Sequence, residues 1–159
     1  MRISDRLQQL GIVLPQPPRI PPNVVLPFRW VRVWGNRAWI SGHGPIESDG
    51  SFAKPLGRVG VEVSPGEAYR AARLTGLAML GSLERELGSL DRIVAWTRAF
   101  GMVNCAPGFR EMPSVINGFS DLILDIFGPE RGQHARSAVG VAELPFDIPV
   151  EIEAAVLID

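Results

Sequence analysis

Near the C-terminus, Ala135 to Val141 and Val150 to Ala154 are rich in the small and branched residues of buried strands. Yet the first segment carries Arg136, and the second carries Glu151 and Glu153. Charged side chains are seldom buried without a partner. A chain with this stretch must therefore fold so that the charges meet one another or face a ligand. Pro145-Phe146-Asp147 reads as a turn between the two segments, which predicts a closing β-hairpin. If the strands pair with Arg136 directly opposite Glu151, the two side chains share a face; a slip of one residue would separate them.

The rest of the chain supplies the frame for this hairpin. Ser4 to Ile12 has the pattern of a short amphipathic helix with Ser4 as N-cap and Gly11 at its end. Pro15, Pro17, Pro18, Pro21, Pro22 and Pro27 then forbid regular helix and predict an extended arm, whose interleaved Ile20, Val24, Val25 and Leu26 suggest packing. Phe28 to Trp34 and Arg37 to Gly42 flank Gly35-Asn36, a tight-turn dipeptide, and so form an antiparallel pair. Trp30, Trp34 and Trp39 are read as core or subunit-interface residues. Glu47 to Gly60 is a loop with a short strand around Ala53 to Val59.

Ser64-Pro65-Gly66-Glu67 is a capping box with proline at the first helical position, and the helix it opens should run to Leu87 and stop at Gly88. Ile93 to Val103 is apolar on both faces and reads as a central strand. Cys105 has no histidine near it in sequence to activate it, which favours a structural thiol. Pro113 opens a second helix with Val115, Ile116, Phe119, Leu122, Ile123 and Ile126 at helical spacing, ending at Gly128-Pro129. Asn117 within it is a ligand contact or a satisfied core amide, and sequence favours the latter. His43 and His134 lie beside glycine-rich or polar loops and carry no assigned role.

This order predicts an α+β domain in which both helices cover one face of a mixed sheet, the other face being covered by further copies in a homo-oligomer. At 159 residues, with 46% apolar and 21% charged residues, the chain fits one domain: residues 1–27 as helix and arm, 28–159 as the body. A formal net charge of −1 argues against nucleic acid as partner. The single Cys105, no secretory signal pattern and no long apolar run predict a cytoplasmic protein away from membranes. No metal-ligand cluster is evident.

Gly35-Asn36 to Ser41-Gly42, the helix opening Ser64-Pro65-Gly66-Glu67, and above all Ala135-Arg136-Ser137-Ala138-Val139 with Leu144-Pro145 and Val150-Glu151-Ile152-Glu153-Ala154 resemble the RidA (YjgF) reactive intermediate deaminase family, also labelled L-PSP endoribonuclease. The resemblance covers roughly Phe28 to the C-terminus. It implies a chorismate-mutase-like fold, a homotrimer with ligand clefts between subunits, and hydrolysis of enamines and imines to 2-oxo acids and ammonia without metal or organic cofactor. Arg136 matches the arginine that clamps the substrate carboxylate, a task suited to a planar guanidinium fork. Glu151 matches the glutamate that positions the attacking water. Ser41 and Gly42 match the cleft wall, and Asn117 matches a helix asparagine facing it. Ala138 stands where the family's deaminases carry cysteine, and Phe28 where a tyrosine often lines the cleft. The proline-rich start and the longer loop before Arg136 look like a longer subgroup with its own substrate.

An ordinary Arg136–Glu151 ion pair at an oligomer interface is the structural alternative to a catalytic pair. A 2-oxo acid binding protein without turnover and an endoribonuclease are the functional ones. The second draws on the missing thiol and hydroxyl, the third on the family's older label alone. Glu153, which shares a face with Glu151, is left without a role.

Overall fold

The computed structural model describes every residue, Met1 to Asp159. Its elements are α1 (Ile3–Gln9), β1 (Val31–Trp34), β2 (Arg37–His43), α2 (Pro65–Leu87), β3 (Ile93–Asn104), α3 (Met112–Gly132), β4 (Ala135–Val141) and β5 (Val150–Ile158). Gly35 takes a φ of 60° in the turn between β1 and β2, and the two strands pair antiparallel with Trp34 opposite Arg37, as the Gly-Asn dipeptide predicts. The Ser64 hydroxyl accepts the Glu67 N–H while the Glu67 carboxylate accepts the Ser64 N–H, and Gly88 ends α2 at a φ of 79°.

The five strands run in the order β1-β2-β5-β3-β4. Only β3 and β4 are parallel; every other pair is antiparallel, so the sheet is mixed as expected. The closing hairpin does not form. β4 pairs with β3 alone, and β5 lies on the far side of β3, between it and β2. The physical reason is connectivity: β3, α3 and β4 make a strand–helix–strand unit, whose crossover lays its second strand parallel to the first. The segment before β5 then crosses the end of the sheet through a 3-10 turn at Pro145–Asp147, with Phe146 and Asp147 both at a φ of 59°. Arg136 is therefore registered with Ala99 and Glu151 with Met102, and the two are never opposite each other.

Smaller expectations also change. Ser4 does not cap α1, which starts at Ile3 with Arg2 in the N-cap position; the Ile3 N–H instead donates to Asp91 and its side chain is buried. Phe28 to Trp30 precedes β1 without joining it, and the strand expected at Ala53 to Val59 is reduced to isolated bridges from Phe52 to Ile46 and from Val59 to Val63 and Cys105. Gly128, at a φ of 71°, kinks α3 but does not end it, because Pro129 opens a resumed turn where its missing N–H is not needed. Cys105 packs against the core as a structural thiol would. The arm is extended and tied down: Gln16 N–H donates to Ser48 O, Arg19 N–H to Gly50 O, and Arg85 to Pro15 O.

α2 and α3 lie together on one face of the sheet. Trp96, Ala99 and Val103 point from β3 into that layer, where the Trp96 ring meets Phe119 and Phe127 edge-on with centroids 5.7 Å apart. The opposite face is open, with Trp39 44% and Val94 50% exposed. There Arg32, Arg37, Arg98, Trp39, Phe100 and Glu153 line a hollow of about 670 Å³. Trp34 is 69% exposed, so neither it nor Trp39 serves the core of the single chain. No helix is long and apolar enough to cross a membrane.

His43 is buried where β2 meets α2. Its Nδ1 is bonded to Ser41 O and its Nε2 to the Ser82 hydroxyl. Burial holds its pKa down at about 4, the Ser41 carbonyl opposing and the Arg85 charge adding to the drop. The unfolded chain gains a proton on this ring near pH 6.5 while the folded chain does not, so stability must fall as pH drops through this window. Between pH 6.5 and 5 the protein is expected to lose about 2 kcal/mol from this residue. Urea denaturation of wild type and His43→Gln across that range checks it; parallel pH profiles would rule it out.

Candidate active site

Glu151 sits on the open face of β5, at a place made for it by β2. The register of β2 against β5 shifts between Ile40 and His43, and within that irregularity Gly42 faces the glutamate. A Cβ at position 42 would lie 2.5 Å from Glu151 Oε2, so only glycine leaves room for the carboxylate. The carboxyl is half-buried and forms no salt bridge, and its pKa is raised, first by burial and then by the Glu153 charge. Such a group holds and releases protons at higher pH than a solvated glutamate, which suits a proton acceptor working on water. Glu153 thus acquires a physical effect: it is on the same face two residues on, and its charge disfavours ionisation of Glu151.

Arg136 lies on the other side of the sheet. In register with Ala99, which is fully buried against the helices, it projects toward α3. There Nη1 donates to the Ser120 hydroxyl at 3.0 Å and Nη2 to the Pro113 carbonyl at 3.2 Å. No carboxylate of the chain pairs with it. A guanidinium has five N–H donors, and these two bonds leave about three for a ligand. Asn117, Ser120, His134 and Arg136 line a hollow of about 260 Å³. Asn117 is exposed at its rim, not a satisfied core amide, because the helical face it occupies looks past the edge strand to solvent.

Arg136 and Glu151 consequently occupy opposite faces, and one chain does not bring them together. The other candidates distribute between them. Gly42 touches Glu151, and Ser41, whose hydroxyl donates to Arg29 O at 2.7 Å, lines the open-face hollow. Ala138, registered with Gly101, faces the helices as Arg136 does. Phe28 belongs to neither group. It is 49% exposed, stacks edge-on against Trp30 at 5.5 Å, and borders an apolar cavity of about 720 Å³ between the proline-rich arm and Phe52 and Phe146.

Two neighbours of Arg136, Ser120 and His134, carried no assignment from sequence. Their signal was present. Asn117, Ser120, Asp121 and Leu124 follow the spacing of one helical face, and His134 precedes Arg136 by two residues near the start of β4. No group of histidine, cysteine, aspartate and glutamate side chains is arranged to hold a metal ion.

A family model described as "YjgF/chorismate_mutase-like, putative endoribonuclease" matches residues 30–149. Protein TCP17 of Trypanosoma cruzi is 39% identical over 155 residues, which is 98% of this chain and 93% of the relative. Among solved structures, the protein Atu1372 from Agrobacterium tumefaciens, described as of unknown function, superposes with a TM-score of 0.85 at 40% identity over 99% of this chain and 92% of that one. A Shewanella oneidensis MR-1 protein described as a "putative endoribonuclease" gives a TM-score of 0.87 at 26% identity over 99% of this chain and 100% of its own.

Proposed function

The chain belongs to the YjgF/chorismate-mutase-like family, and we propose that it hydrolyses reactive imines of amino acids to 2-oxo acids and ammonia. The observation that carries this reading is Arg136: tethered on two donors, free on the others, and without an acidic partner anywhere in the chain. Its fork holds the substrate carboxylate. Glu151, with its raised pKa, takes a proton from a water that adds to the C=N carbon. The resulting carbinolamine, protonated on nitrogen, expels ammonia and leaves the 2-oxo acid. No electrons are exchanged and no cofactor is called for.

Because the two residues face opposite sides of the sheet, the site is assembled between copies of the chain, Arg136 from one and Glu151 from the next. A homotrimer with clefts between subunits fits both the exposed Trp39 on the open face and the unpaired outer edge of β4. The test is ammonia release from 2-iminobutanoate generated in the assay. Arg136→Ala is expected to lower kcat/KM about a hundredfold, the loss of charge-assisted hydrogen bonds to a carboxylate. A variant as active as wild type would remove the assignment.

A second reading, binding of 2-oxo acids without turnover, is favoured by Ala138 and Phe28, which lack the thiol and hydroxyl of the family's deaminases. Calorimetric binding of 2-oxobutanoate with no acceleration of ammonia release would select it. RNA cleavage, named for the Shewanella relative, has less support. Both ring nitrogens of His43 and of His134 are engaged in hydrogen bonds, and burial lowers the pKa of each.

A further inference from the structure

The Arg136 guanidinium is held by a directional chain of hydrogen bonds that begins at a backbone carbonyl. His134 Nδ1 lies 2.7 Å from Gly132 O. A carbonyl oxygen only accepts, so Nδ1 carries the proton. Burial, then the neighbouring Arg136 charge, lowers the His134 pKa and keeps the ring neutral. Nε2 is then a lone pair, and the Ser120 hydroxyl, 3.0 Å away, must donate to it. With its proton so committed, the Ser120 oxygen presents only lone pairs to Arg136 Nη1, also at 3.0 Å. The edge of the Phe119 ring against His134, centroids 5.5 Å apart, fixes the imidazole in place.

The nearest acid does not compete for the guanidinium. Asp121 borders the same hollow, but its Oδ2 accepts the Tyr69 hydroxyl at 2.7 Å. The hollow therefore keeps one cation aimed outward, with two of its N–H groups tied to Ser120 and Pro113.

We propose that Ser120 and His134 are positioning residues that set the orientation of Arg136 toward a carboxylate ligand. This rests on reading Arg136 as the carboxylate clamp. Neither residue touches the reacting carbon. Their contribution is to spare the ligand the cost of ordering a long, freely rotating side chain.

The experiment measures KM and kcat for ammonia release from 2-iminobutanoate, and Kd for 2-oxobutanoate by calorimetry. It compares wild type, Ser120→Ala, Ser120→Thr, His134→Leu, His134→Gln and Arg136→Ala. Ser120→Ala is expected to raise KM and Kd about tenfold, with the effect falling on binding and not on kcat. Ser120→Thr, which keeps a hydroxyl, restores both. His134→Leu raises KM and Kd about threefold, and His134→Gln, which offers an acceptor near the Nε2 position, recovers them. The histidine pair keeps the proposal testable if Ser120→Ala fails to fold. If Arg136→Ala loses activity while Ser120→Ala and His134→Leu bind as wild type does, the positioning role is overturned and the clamp stands. If Arg136→Ala itself behaves as wild type, the clamp fails and the positioning role with it.

Discussion

Glu151→Gln is expected to lower kcat for ammonia release about a thousandfold while making the protein more stable near neutral pH. The first effect follows from the loss of the group that takes the proton of the attacking water; an amide of the same shape cannot do so. The second follows from the raised carboxyl pKa, caused by burial first and by Glu153 second. In the unfolded chain the side chain ionises at its ordinary value of 4.5, below the value in the folded state. Below that pH both states are protonated and the residue costs nothing. As pH rises through the window between the two values, the unfolded state releases its proton first and gains relative stability. Above the folded-state pKa the penalty is constant, and glutamine never incurs it. Melting curves of both proteins should coincide in acid and diverge as pH rises, the variant melting higher. Wild-type kcat in the variant would exclude Glu151 as proton acceptor, and a melting difference independent of pH would exclude the burial argument. Glu153→Gln, by removing the second cause, should bring the Glu151 pKa part of the way down.

Gly118→Ala is expected to destabilise the protein by about 3 kcal/mol, lowering the melting temperature by about 10 °C. Helix propensity alone predicts the opposite, since alanine within a helix is favoured over glycine by about 1 kcal/mol. Packing decides the sign. A Cβ on Gly118 would stand 2.0 Å from the backbone carbonyl oxygen of Tyr69 on α2, and backbone cannot rotate away as a side chain can. Gly76 on α2 meets α3 in the same way, its Cβ falling 2.8 Å from Leu122. The helices touch through glycine, and separating them would loosen Phe119 and Leu122, both fully buried beneath the contact. Urea denaturation measures the loss. An unchanged or raised midpoint would mean that α3 shifts along α2 without disturbing the layer.

How much of the molecule was legible depends on the range of the interaction that made each part. The Ser64 capping box, the Gly35-Asn36 turn and the Gly88 terminus close within a few residues, so their residue types specify them directly. The burial of Val115, Ile116, Phe119, Leu122, Ile123 and Ile126 followed from helical periodicity, which needs only one face to be covered. The pairing of the last two strands was not legible. Apolar patterning tells a strand which face to bury but not which neighbour to choose, and the short Pro145-Phe146-Asp147 turn imitates a hairpin while carrying the chain past β3. Asn117 shows the same limit: helical spacing places it on a face, and only the position of the edge strand decides that this face meets solvent.

The sequence by itself determined the α+β class, the helix boundaries at Ser64 and Gly88, the family, and the identity of Arg136 and Glu151 as charges in strand segments that needed explanation. Tertiary structure alone decided that these two charges do not meet, because β3 stands between their strands and their registers send one side chain to the helices and the other to the open face. It also decided what each of them meets. Gly42 makes space for Glu151, and Ser120 and His134 hold Arg136, through contacts between residues far apart in the chain whose closeness only the packed sheet and helices create.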